Sequence, residues 1–67
     1  MNKFDERLRE LRKEKELSQQ QLSEVFNVSK MTISAWETSK QEPSIELILS
    51  IATFFNVSTD YLLGNED

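Results

Sequence analysis

Residues 17–38 read LSQQQLSEVFNVSKMTISAWET, and the tripeptide Asn27-Val28-Ser29 inside them constrains this chain more than any other feature. Two helical patterns meet there. Ser18 is a helix-capping residue type, and Gln21 three positions later completes a capping-box pattern ahead of Leu22, Val25 and Phe26. Asn27 tolerates a left-handed backbone, so it can end that helix tightly. Ser29 then caps a new helix with only Val28 between them. Val28 before the cap and Ile33 at the fourth helical position form a hydrophobic staple, which fixes the angle of entry. Two short helices joined this closely cannot lie side by side. They must cross steeply.

The rest of the chain is also helical in pattern. Its one proline and one glycine stand at Pro43 and Gly64, and no segment alternates as a strand would. Phe4, Leu8 and Leu11 fall on one stripe of an amphipathic first helix, with Asp5–Arg9 and Glu10–Lys13 spaced to pair on its surface. Pro43 and Ser44 open a fourth helix, SIELILSIATFF, whose apolar residues leave a narrow strip of Glu46, Ser50 and Thr53. A helix that apolar is expected to be the central core element. Asn56 stops it, Ser58 caps a final short helix, and Gly64 ends that one. The reading is all-α: one compact five-helix domain over residues 1–67, with the two crossed helices at about 18–38. Leu49, Phe55, Tyr61, Leu62 and Leu63 cannot all turn inward in so small a core. Burial of the excess against a second copy is one outcome; Leu62 and Leu63 closing the base of the monomer is the other.

Composition removes several classes of function. Cysteine and histidine are absent, so neither a disulfide nor the usual zinc and transition-metal ligand sets can be assembled. A single glycine cannot build a phosphate cradle, and the carboxylates are scattered along charged helix faces. The expectation is a non-enzyme with no catalytic residue, metal, cofactor or small-molecule substrate. The opening MNKFDERLRELRKEKE carries no apolar run of signal-peptide or membrane-span length, which predicts a cytoplasmic protein with no membrane partner. The net charge is −4, but it is unevenly placed. Residues 1–41 hold eight cations against seven acids (+1), and everything from Glu42 onward holds five acids and no cation (−5). The acidity therefore says nothing against an anionic partner for residues 27–40.

In the third helix, Ile33 and Trp36 define the inward side. Met31, Ser34, Ala35 and Thr38 lie opposite, with Lys30 on the flank and Glu37 at the edge. Taken singly these are ordinary surface residues. Together they make a small, polar face with two apolar members and no acid at its centre. An α-helix of that kind fits the major groove of DNA, where hydroxyls and lysine bond base edges and Met31 and Ala35 suit thymine methyls.

The run L-S-Q-Q-Q-L-S-E-V-F-N-V-S-K-M-T-I-S-A-W-E, six residues to Pro43, and then N-V-S-T-D-Y-L-L-G resembles the Cro/C1-type (XRE) helix-turn-helix family, the lambda-repressor-like DNA-binding domain. The likeness runs from about Leu8 to Gly64. It implies a homodimer that binds double-stranded operator DNA at an inverted repeat and regulates transcription, more often as a repressor. Carried over by position, it implies that Gln19 clamps a DNA phosphate and that Ser18 adds a backbone contact at the positive end of its helix. Ser29, Lys30, Met31 and Ala35 match positions that meet phosphates or base edges, and Ser34 shares their outward face. Thr32 falls close to the DNA backbone, with Thr38 and Lys40 in the stretch that contacts phosphates after the recognition helix. Arg12 and Glu37 match an internal ion pair between the first and third helices. Three positions depart from the family pattern: Asn27 and Ser39 stand where glycine is usual, and Ser23 where alanine is common. Ser39 must either take a left-handed conformation or end the helix differently. The alternative function is a protein-interaction module, antitoxin-like or coactivator-like, on the same fold. DNA binding requires Lys30, Lys40, and Lys13 or Arg9, to cluster on one side.

Overall fold

The computed structural model describes residues 3–66. It contains five helices in order: α1 (Phe4–Glu14), α2 (Gln19–Phe26), α3 (Lys30–Glu37), α4 (Ile45–Phe55) and α5 (Thr59–Leu63). No strand occurs among the described residues.

Serine starts four of the five helices by one device. The side chains of Ser18, Ser29, Ser44 and Ser58 accept the N–H of Gln21, Thr32, Leu47 and Tyr61 at 3.0, 3.1, 3.2 and 2.9 Å. At Ser18 the capping box is complete, because Gln21 Oε1 accepts the Ser18 N–H at 2.8 Å. The tripeptide Asn-Val-Ser occurs twice, at 27–29 and 56–58, and folds the same way each time. Asn27 and Asn56 are left-handed, with φ/ψ of 55/45° and 56/44°. The N–H of the following valine closes back onto the helix, Val28 to Ser23 O and Val57 to Ala52 O, each at 3.0 Å. Gly64 ends α5 with φ 87°, and a Cβ there would lie 3.1 Å from Lys3 Cβ, so glycine is required on two counts. Two further left-handed residues are Glu16 (φ 57°), which ends α1, and Ser39 (φ 63°). Ser39 thus takes the left-handed alternative. Its hydroxyl donates to Asp5 Oδ2 at 2.7 Å, a contact between the end of α3 and the start of α1.

One core unites all five helices. Phe4, Leu8 and Leu11 of α1, Leu22 of α2, Ile33 and Trp36 of α3, Ile48, Ile51, Ala52 and Phe55 of α4, and Leu62 of α5 are buried together. The buried Ser23 is satisfied by donating to Gln20 O at 2.6 Å, which explains how serine is accommodated inside α2. Phe26, Phe54 and Phe55 stack edge-to-face, with centroids 5.7 Å apart for the first pair and 4.9 Å for the second. Of the apolar surplus predicted for α4 and α5, Phe55 and Leu62 are buried and Tyr61 and Leu63 half-buried, whereas Leu49 is 53% exposed. α4 is less enclosed than its composition predicts. Ile45, 77% exposed, and Leu49 leave one apolar stripe open beside the half-exposed Val25 of α2.

Candidate nucleic-acid interface

The outward face of α3 follows from how the helix is held. Ile33 and Trp36 are buried, and the 3.6-residue period then turns Met31, Ser34, Ala35 and Thr38 away from the core. Met31 is 82% exposed, and Lys30, Thr38 and Lys40 are also exposed. Met31, Ser34, Ala35, Thr38 and Lys40 line one shallow concavity of about 250 Å³. The chain returning after α3 therefore brings Lys40 back to the face that the helix presents.

Several hydroxyls expected to meet DNA are already engaged. Ser29 Oγ caps the Thr32 N–H and lies 2.9 Å from Thr32 Oγ1, so the two hydroxyls share one hydrogen bond and one proton of the pair stays available at the start of α3. Thr38 Oγ1 donates to Ser34 O at 2.9 Å, which leaves its lone pairs but not its proton facing outward. Ser18 uses both its N–H and its hydroxyl oxygen within the capping box. The amides without intrahelical acceptors at that end are those of Gln19 and Gln20, and at α3 those of Lys30 and Met31.

Beside the α3 face lies a second cleft, of about 270 Å³, lined by Arg9, Arg12, Gln19, Glu37 and Thr38. Its floor is an ion pair. Arg12 Nε donates to Glu37 Oε2 at 2.7 Å and Arg12 Nη2 to Glu37 Oε1 at 3.0 Å, a fork-on-fork geometry. Arg12 Nη1 donates to Leu17 O at 2.9 Å, and Gln19 Nε2 reaches Glu37 Oε1 at 3.2 Å. One carboxylate of α3 thus ties α1 and the start of α2 to that helix. Glu37's hydrogen bonds raise the Arg12 pKa above its ordinary value, against the opposing effect of burial. On α1, no ion pair between Asp5 and Arg9 is formed among the described residues. The Asp5 carboxylate accepts from Ser39, and that bond, followed by the Glu6 N–H, holds it below the usual aspartate value.

Of the residues expected to contact DNA, the structure groups Met31, Ser34, Ala35, Thr38 and Lys40 on one surface, with Gln19 entering the adjacent cleft through Thr38. Of the two α1 cations considered, Arg9 lines that cleft. The Ser39–Asp5 bond that reorganises this edge is not visible in helical spacing, because its partners are 34 positions apart. No helix among the described residues is long and apolar enough to cross a membrane.

Comparison with known proteins places the chain in a family. The family described as Helix-turn-helix matches residues 8–62. The chain is 44% identical over 64 residues to the HTH-type transcriptional activator BcrR of Enterococcus faecalis, covering 96% of this chain and 31% of that protein. It is 40% identical over 61 residues to Repressor protein C2 of Salmonella phage P22, covering 91% and 28% respectively. Against the cryptic phage CTXphi transcriptional repressor RstR of Vibrio cholerae it is 30% identical over 64 residues, covering 96% and 58%. The chain therefore spans less than two thirds of the length of these relatives. With α2 and α3 packed together across the Asn27–Ser29 turn, a buried Ile33–Trp36 side and an outward α3 face, it belongs to the Cro/C1-type helix-turn-helix family of DNA-binding transcription regulators.

Proposed function

We propose that this chain is a sequence-specific repressor domain that binds an operator as a homodimer, with helix 29–38 of each copy in the major groove. The observation that carries this reading is the α3 face itself. Met31 stands 82% exposed at the helix start, flanked by Lys30 and by Lys40 across the concavity. Leaving a methionine so exposed forgoes roughly 1.5–3 kcal/mol of burial, which a groove lined with thymine methyls would recover. Ser29, Thr32 and the free amides of α2 and α3 would meet backbone phosphates on either side.

A homodimer is supported by the open stripe of Ile45, Leu49 and Val25, and by the geometry of paired recognition helices about 34–36 Å apart on one face of DNA. Two of the relatives above are named as repressors, and occupancy of an operator suffices for repression. Activation needs a further surface for the transcription machinery. Such a regulator would act in the cytoplasm.

Enrichment of bound duplexes from a random DNA library, at low salt, tests the reading. Recovery of an inverted repeat with half-sites one turn apart is the expected result. A folded sample that enriches no sequence would favour the protein-interaction alternative and refute sequence readout by α3.

A further inference from the structure

We infer that Met31 is a reversible oxidative modification site: an oxidant of the peroxide class converts its thioether to the sulfoxide, and the oxidised α3 face releases its operator. This rests on the DNA-binding reading above.

The chain offers such an oxidant few targets. It has no cysteine and two methionines, of which Met1 lies outside the described residues. Trp36 is 2% exposed, and the half-buried Tyr61 ring lies under the Arg7 guanidinium, 4.1 Å from its centroid. Val25, Ile45 and Leu49, the other large apolar residues left exposed, are hydrocarbons that peroxide does not attack. Met31 is 82% exposed, and the oxidation of a thioether follows its access to solvent. It shares its concavity with Ser34, Ala35, Thr38 and Lys40, none of them an aromatic ring that would shield the sulfur.

The step balances without a further reactant. A sulfur lone pair attacks one peroxide oxygen, the O–O bond breaks and an S–O bond forms. The departing oxygen takes up the proton of the transferred one and leaves as water. Sulfur loses two electrons and the peroxide gains them. A dithiol reductant reverses the change: the sulfoxide oxygen leaves as water and a disulfide forms on the reductant.

Position turns this chemistry into a switch. The side chain makes no part of the core, so the fold has no stake in its polarity. On the outward face, the oxidised sulfur sets a hydrogen-bond acceptor where the thioether meets thymine methyls, and burial of that acceptor without a donor is unfavourable. Charge does not change, so attraction to phosphates is untouched.

The test begins with the duplex recovered by library enrichment. Binding is compared for wild type before and after hydrogen peroxide, with sulfoxide at Met31 located by peptide mass spectrometry, and for Met31→Leu treated alike. Circular dichroism should show every sample folded. Oxidation of Met31 should weaken operator binding roughly tenfold per protomer, by forfeiting much of the gain from burying an apolar side chain. The log–log salt slope should stay the same. Methionine sulfoxide reductases for both sulfur epimers, with a dithiol, should restore affinity. Peroxide should leave the binding of Met31→Leu unchanged. Saturating operator should slow sulfoxide formation at Met31, measured against free methionine in the same solution, because coupling between the two events is reciprocal. Wild type that binds equally well with Met31 oxidised would overturn the site and leave the DNA-binding reading standing. An equal peroxide loss in Met31→Leu, or a loss that the reductases do not reverse, would overturn it by placing the damage elsewhere. A folded, untreated wild type that enriches no duplex would overturn the DNA-binding reading, and the switch with it.

Discussion

Replacing Glu37 with alanine should be among the most damaging single changes outside the apolar core. The Glu37 side chain is 3% exposed and that of Arg12 11%, so both charges are largely shielded although they floor an open cleft. Alanine would leave Arg12 Nε and Nη2 and Gln19 Nε2 without acceptors, with a charge still enclosed. Removing one partner of a buried pair costs about 3–5 kcal/mol. The low end applies, because Arg12 keeps its bond to Leu17 O and some contact with water. At about 0.05–0.15 kcal/mol per residue, 67 residues hold roughly 3–10 kcal/mol in all. A loss of about 3 kcal/mol should then lower Tm by roughly 12–24 °C. The assay is thermal melting by circular dichroism, with urea unfolding followed by Trp36 fluorescence, since Trp36 is buried beside the substituted position. The double variant Arg12→Met/Glu37→Leu should recover most of the loss, because apolar pairs of similar volume replace buried ion pairs at little cost. A Glu37→Ala cost below about 1 kcal/mol, the worth of an exposed pair, would refute the argument that burial gives this contact its weight.

Gln19→Ala should weaken binding to every duplex alike while the fold persists, as judged by titration of unrelated sequences; unchanged affinity removes Gln19 from the interface. Met31→Ala and Ala35→Gln should alter which bases are preferred more than they alter non-specific affinity, read by repeating library enrichment with each variant. If both variants keep the wild-type preference, α3 does not read bases. Asp5 should titrate below the ordinary aspartate value of 3.8, and Ser39→Ala should bring it back toward that value in a carboxyl NMR titration. Its folded-state pKa is depressed, so its contribution to stability is present above 3.8 and fades as pH falls through the lowered value. An Asp5 that titrates identically in wild type and Ser39→Ala would break that link.

Short-range chemistry controls everything that was legible in the residues alone. Asn-Val-Ser adopts one conformation at 27–29 and again at 56–58, in different surroundings, because a left-handed asparagine and a serine cap act on amides within three residues. Helix number and boundaries, the inward pairing of Ile33 with Trp36, and hence the outward row of α3 all follow from such local rules and from the helical period. Three features lay beyond them. Asp5 has Arg9 at the spacing of a surface pair, yet its carboxylate turns to Ser39, whose left-handed backbone aims its hydroxyl at α1. Gln19 is expected to clamp a DNA phosphate, yet its side-chain amide leans on Glu37. The composition of α4 predicts enclosure, yet Ile45 and Leu49 remain open, on a side that the other described helices leave uncovered. Each of these depends on which surfaces meet across the core. Periodicity assigns a residue to a face, but tertiary packing decides which distant group stands opposite it, as Ser39 does for Asp5 and Glu37 for Gln19.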